Sequence, residues 1–244
     1  MTYNLAEKTW PMIENYLKIK NSILLSVGST EQHGPTGIIG IDYLSSWEIA
    51  KKVGEETGTL VAPPFCFGMA QHHMAFPGTM SLTPVTFIQV ICELIQSLYR
   101  HGFRDFTVVN GHGGNIPSLN AAFSQILGND EECRFLLVNW WHLPEVQSYE
   151  NKHFGDRNGF HATCGEISVT QYTHPEAYKE IPKLKFEATT SEHPWPLSPA
   201  QFRKTFPDGR MGSDPSLATA AHGEEIFKIA VAAIAQKLRN NTKG

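Results

Sequence analysis

The sequence predicts an α/β fold, a mainly parallel sheet covered by helices on both faces. Two observations carry that expectation. Short, nearly continuous apolar runs alternate with stretches whose apolar residues recur every three or four positions, the order that builds strand–helix–strand units. Two of the runs stop at glycine-containing polar clusters, one after Val27 and one after Val109. Parallel sheets place ligands at such strand ends.

Taken in order, Ser22 to Val27 (S-I-L-L-S-V) reads as a buried strand. Tyr43 to Glu56 sets Leu44, Trp47, Ala50 and Val53 three or four apart, an amphipathic helix. Gly58 to Pro63 reads as a second strand. Thr83-Pro84 supplies a cap and a proline at the first helical position. The helix that follows carries Phe87, Val90, Ile91, Leu94, Ile95 and Leu98 on one face and stops at Gly102. Asp105 to Val109 is a third strand, followed by a helix over about 117–127 and a fourth strand from Arg134 to Asn139. Helical spacing returns near Gly165 to Gln171 and from Pro215 to Leu238. Lys183 to Ala188 reads as a further strand, and the proline-rich Ser191 to Asp208 as an irregular loop. With no repeat or linker in view, residues 1–244 are expected to form one domain.

Composition narrows the function. Of the 244 residues, 41% are hydrophobic and 18% charged, against about 25% charged in a typical globular domain, so intrinsic disorder is excluded. A net charge of -4 offers no basic field for nucleic acid or anionic lipid. No run approaches the roughly 20 apolar residues of a membrane span, and the first ten residues lack the apolar core of a secretion signal. Cys66, Cys92, Cys133 and Cys164 are scattered, with no C-x-x-C pair, which suits thiols in a reducing cytoplasm. The 11 histidines are the unusual feature of a near-neutral chain.

Three clusters account for the histidines of interest. In Ser26 to Asp42, Glu31 and His33 sit two apart and leave one face of extended backbone, and glycines at 34, 37 and 40 let Asp42 fold back towards them. Carboxylates with an imidazole suit Zn²⁺ or Mn²⁺; Asp42 alternatively caps the helix it precedes. In Asn110 to Asn115 (N-G-H-G-G-N), His112 is the residue able to bind a metal, and the asparagines are able to hold the turn or a substrate carbonyl; the run lacks the phosphate-loop pattern. In His161 to Glu166 (H-A-T-C-G-E), an imidazole and a carboxylate stand at a helix start, where Glu166 is also favoured by the helix dipole and His161 suits ligation or proton transfer. His142, after the fourth strand, is a candidate pocket wall. Cys164 has no separate base partner and is not expected to be a nucleophile.

Taken together, Gly28–Pro35 (G-S-T-E-Q-H-G-P), Asp42, Phe76–Leu82 (F-P-G-T-M-S-L), Asn110–Asn115 and His161–Glu166 resemble the creatininase (creatinine amidohydrolase) family, with a compatible G-S-D-P-x-x-A stretch at Gly212–Ala218. The resemblance implies a three-layer α/β/α fold, a two-metal centre and a homo-oligomer, often a hexamer, that hydrolyses cyclic or linear C–N amide bonds. It implies that Glu31 and His112 bind one metal, His33 and Glu166 the other, and Asp42 bridges both. The metals would be Zn²⁺ or Mn²⁺, with Fe²⁺ a further fit, sharing a bridging hydroxide. His161 would be the catalytic acid/base, with substrate contacts from His73, Gly113, Gly114, Asn115 and His142. The chain departs from the creatininases proper at Gly114, where they carry a metal-site Glu, and at Gly113, where they carry a Tyr. Ala70 and His72 replace a hydroxyl and a carboxylate found in many relatives. These departures point to a creatininase-like subgroup. The expected activity is cleavage of a small soluble lactam or formamide; the alternatives are a short-peptide peptidase and a catalytically silent metal-binding or assembly protein.

Overall fold

The computed structural model describes residues 3–130 and 132–241. Four strands make one parallel sheet: β1 (Ser22–Val27), β2 (Leu60–Val61), β3 (Asp105–Asn110) and β4 (Arg134–Asn139), in the order β2-β1-β3-β4. Alternate residues of each strand serve opposite faces, as strand geometry requires. Leu24, Val61, Val109 and Val138 enter one core; Ile23, Val27, Leu60, Phe106 and Val108 enter the other. The first core is closed by α2 (Ile41–Thr57), α5 (Pro144–His153), α6 (Cys164–Thr173) and α8 (Ala220–Asn241). The second is closed by α3 (Pro84–Arg100) and α4 (Asn115–Leu127), with α1 (Trp10–Leu17) packed at its margin. The result is the expected three-layer α/β/α arrangement around a parallel sheet.

The strand order turns back between β1 and β3, so the chain leaves these neighbours towards opposite faces and opens a crevice at their carboxyl ends. Val27, Asn110 and Asn139 are in register there. Two glycines make the crevice tight. A Cβ on Gly28 would fall 2.3 Å from Tyr43 Cα, and one on Gly111 would fall 2.0 Å from the Asp42 carbonyl oxygen. Only glycine lets both strand ends press against the first turn of α2.

Several expectations are corrected. Lys183 to Ala188 is not a strand: its period-two pattern has no neighbouring strand to pair with, and it lies mostly exposed, tied down where Arg210 stacks over Phe186 at 4.3 Å and donates to the Glu187 carbonyl. The stretch from Ser191 to Asp208 is not wholly irregular, because it contains α7 (Pro199–Thr205). Ser198 and Gln201 close a reciprocal capping box at its start, and Phe202 is fully buried. The single C-terminal helix is broken into a 3₁₀ turn over Pro215–Leu217 and then α8. The second strand is only two residues long, and α1 and α5 are helices that the spacing does not predict.

Candidate metal centre

Glu31 lies in the loop after β1, its backbone held by Ile39, and is fully buried. Ser29 donates to its Oε2 at 2.7 Å, which turns Oε1 into the crevice. There Oε1 stands 3.2 Å from His112 Nδ1, 3.2 Å from His73 Nε2 and 3.9 Å from His161 Nδ1. Asp42 is on the first turn of α2, after Gly40 at the cap position, and makes no capping bond. It reaches sideways instead, with Oδ1 3.0 Å from His33 Nε2 and Oδ2 3.2 Å from His112 Nδ1. Glu166 belongs to the first turn of α6, where its Oε1 accepts from Thr163 N at 2.5 Å in a capping box and lies 4.0 Å from His33 Nε2.

The hydrogen-bond partners fix where the imidazole protons sit. His112 Nε2 faces the Met69 carbonyl at 3.1 Å and must carry the proton, which leaves the Nδ1 lone pair towards Glu31 and Asp42. His33 Nδ1 donates to the Glu31 carbonyl at 3.1 Å, which leaves Nε2 towards Asp42 and Glu166. His161 Nε2 donates to the Gln32 carbonyl at 2.8 Å, which leaves Nδ1 facing Glu31. Ring lone pairs of His33, His112 and His161 thus confront carboxylate oxygens, and Glu31 Oε1 and Asp42 Oδ2 are buried without a well-formed hydrogen bond. Buried, unpaired acceptors are costly, and a cation among them removes the cost.

Protonation tells the same story. Burial opposes charge on His33, but the Asp42 carboxylate outweighs it and pushes the imidazole up to about 10. His112 is likewise raised, against its burial, by Glu31 and Asp42. Burial would lift the Glu31 carboxyl, but His112 and His73 hold it well below the usual range. Burial pushes Glu166 up to about 7, with His33 pulling the other way. The lone pairs therefore take up protons where no cation is present. His161 differs: burial, with His73 and His33 alongside, drives it well below the ordinary value, so it is neutral.

Three groups have ligand atoms close enough to share an ion: Glu31–Asp42–His112, His33–His161–Glu166 and Glu31–His73–His161. The six residues singled out for metal binding and catalysis thus come together, although they derive from three separate stretches of the chain. His73 joins them, stacked on His161 at 4.3 Å and buried against Glu31 rather than lining an open wall. Asn115 is fully buried and its amide is committed: Oδ1 accepts from Met69 N, and Nδ2 donates to the Gly28 carbonyl and Asn110. It holds the two loops together. His142 is exposed and packs on Trp141, and it is Trp141 that reaches the position of Gly113. Gly114 makes room for His112, since a Cβ there would lie 2.4 Å from His112 Nε2.

Sequence reasoning missed three supports. Gln32 donates its amide to the Gly209 carbonyl and to His73 Nδ1, and its backbone N–H to Thr79 of the F-P-G-T motif. Ser29 orients Glu31. Glu150, on α5, is buried behind Glu166, bonded by Asn158 and pushed up to about 8 by burial and the neighbouring Glu166 charge. Spacing gives no signal for any of them, because each acts through residues distant in the chain. Cys164 donates to backbone carbonyls, and burial raises its thiol to about 12, so it is inert as a nucleophile.

A family model described as creatininase, creatinine amidohydrolase, matches residues 6–238. The chain belongs to the creatininase family. Among curated relatives, a 3-dehydro-scyllo-inosose hydrolase of Thermotoga maritima is 33% identical over 55% of this chain, a match that spans 43% of that protein. A mycofactocin precursor peptide peptidase of Mycolicibacterium smegmatis is 27% identical over 89% of this chain and 84% of its own length. In structure, a mutant creatininase complexed with creatine superposes with a TM-score of 0.85 at 23% identity, covering 99% of both chains. Creatininases of this fold have been solved in a Zn-Zn form and with Mn.

Proposed function

We propose that this protein is a metal-dependent amidohydrolase that cleaves a C–N bond in a small lactam or formamide, with residues 1–244 acting as one catalytic domain. The observation that carries the reading is the pair of orphaned carboxylate oxygens, Glu31 Oε1 and Asp42 Oδ2, both facing His112 Nδ1, whose ring proton is committed to the Met69 carbonyl. Glu31 and His112 would hold one divalent cation, His33 and Glu166 a second, and Asp42 would reach both. Two such ions, Zn²⁺ or Mn²⁺ with Fe²⁺ also suited, supply Lewis acidity for the amide carbonyl and for activating water.

The chain's own residues supply the rest. His161 is neutral, with its Nε2–H held on the Gln32 carbonyl; its Nδ1 accepts a proton from water and returns it to the leaving nitrogen. Gln32 fixes the ring of His73, which holds Glu31 in place. The backbone amides of Gly113 and Gly114, at the N-terminus of α4, would be the donors available to a developing oxyanion. Near-complete burial of the cluster keeps bulk water away and strengthens each of these interactions.

Protein purified without chelators, incubated with Mn²⁺ or Zn²⁺ and desalted is expected to retain two ions per chain by elemental analysis. Well under one ion per chain overturns the reading. Asp42→Ala should lose both ions. His161→Ala should keep them and lose turnover on whichever formamide or lactam the wild-type protein cleaves; metal loss in that variant would remove its assigned role.

A short-peptide peptidase is the second reading, favoured by the near-full-length likeness to the mycofactocin precursor peptide peptidase. Dipeptides included in the same substrate panel separate the two. We further propose a homo-oligomer, a hexamer as in the family resemblance. Phe67, Met74 and Met80 support it, since they leave apolar surface exposed around the crevice loops. A cytoplasmic location is supported by four unpaired cysteines. Among the described residues no helix is long and apolar enough to cross a membrane.

A further inference from the structure

Aromatic rings run in an unbroken line from the buried carboxylate–imidazole cluster to the surface. His72 lies nearly parallel to His112, with centroids 6.2 Å apart, and meets Trp195 edge-on at 5.0 Å. It also packs on His73 at 4.1 Å and Phe202 at 5.5 Å. Trp195 is 55% exposed and is backed by His193 at 4.7 Å. Three parts of the chain therefore build this wall: the 3₁₀ turn at Gln71–His73, the irregular segment around 193–195, and α7.

His72 is unlike the other histidines of the crevice. His33, His73, His112 and His161 each place a ring nitrogen in a hydrogen bond, whereas His72 makes ring contacts only. Neither of its nitrogens is a fully buried orphan, so each keeps some exposure to solvent. Among the described residues, no carboxylate, ammonium or guanidinium lies within ion-pair distance of it. The chemistry assigned above uses neither His72 nor Trp195.

We propose that His72 and Trp195 form the specificity wall of the site. They would take the non-reacting part of the substrate when it is a flat, uncharged ring, with Trp195 covering the ring and a free nitrogen of His72 bonded to a polar atom on it. The proposal rests on the amidohydrolase reading and specifies its substrate class as aryl or heteroaryl amides over those carrying a charged group.

Hydroxamates test this without turnover, because they chelate the metals whether or not a substrate is known. Benzohydroxamate and acetohydroxamate share the chelating group and differ in the ring. Calorimetric titration of Mn²⁺-loaded protein is expected to give about fivefold to tenfold tighter binding of the benzo compound, the scale of one good aromatic contact. His72→Ala and Trp195→Ala should reduce that preference to within about twofold, with acetohydroxamate affinity and metal content unchanged. Trp195→Phe should restore most of it. Because Trp195 is half-exposed, its variants give a folded protein even if the His72 variant does not. Equal binding of the two hydroxamates to the wild type, or a preference that survives both alanine variants, overturns the wall. If metal-loaded protein binds neither compound, the metal reading fails and the wall with it. Normal acetohydroxamate binding without ring preference defeats the wall alone.

Discussion

Asp42 occupies the first turn of α2 yet spends its carboxylate sideways, on His33 and His112, while its carbonyl accepts from Ser45 and Ser46. A cap and a ligand look alike in sequence at such a position. Contact decides between them, since Oδ1 is bonded to His33 Nε2 and Oδ2 has no hydrogen-bond partner in the first turn. Gly114 is the complementary case, a residue defined by what it leaves out. A Cβ there would lie 2.4 Å from His112 Nε2 and 2.5 Å from the Met69 carbonyl, in the hydrogen bond that presents Nδ1 of His112 to Glu31. Gly114→Ala is therefore expected to cost about 1–3 kcal/mol through overpacking and to displace the ring. Metal analysis of the variant should show retained ions falling towards one per chain, with urea unfolding reporting the stability loss. Full occupancy with unchanged stability would mean that the ring has room to yield.

At the level of elements, the sheet and the helices α2, α3 and α4 were legible because buried parallel strands are continuous apolar runs and these helices carry apolar faces. The segment between Lys183 and Asp208 was not. Its alternating Lys183, Leu184, Lys185, Phe186 pattern suits a strand, but a strand needs a neighbour, and no sheet edge lies alongside. Conversely, α7 is only seven residues long and surrounded by prolines, so periodicity could not reveal it; its signature is the Ser198–Gln201 capping box. That box matters beyond the helix, since α7 delivers Phe202 onto His73 at 4.6 Å. Ser198→Ala should cost about 1 kcal/mol, the usual worth of a cap, which corresponds to a melting shift of about 2–4 °C. Hydrogen exchange should quicken over residues 199–205 while the sheet stays protected. An unchanged exchange rate in α7 would show that burial of Phe202 alone holds the helix.

For the whole molecule, the central fact is a cluster of ionisable groups buried at the carboxyl edge of the sheet, whose charges must be balanced by protons or by cations. In metal-free protein the proton balance has a definite sign. His33 is raised to about 10, Glu150 to about 8 and Glu166 to about 7, each above its value in an unfolded chain. A group raised in this way contributes its stability below the unfolded pKa and loses it as pH climbs through the folded one. Glu31 works the other way: its pKa is depressed, so its contribution is present above the ordinary carboxylate range and fades in acid. The two trends place maximal stability of the metal-free protein on the mildly acidic side of neutrality. Chelator-treated protein is therefore expected to lose melting temperature steadily from pH 6 to pH 10. The loss should be several degrees, on the order of a few kcal/mol once coupling among the groups is allowed for. Saturating Mn²⁺ should flatten most of that slope, because ligands bound to a cation no longer titrate; the part belonging to Glu150 should remain and should disappear in Glu150→Gln. Thermal melts across this pH range, with and without metal, give both curves directly. A metal-free protein that becomes more stable towards pH 10 would show that the cluster is not held by protons, and would remove charge balance as a support for the two-metal assignment.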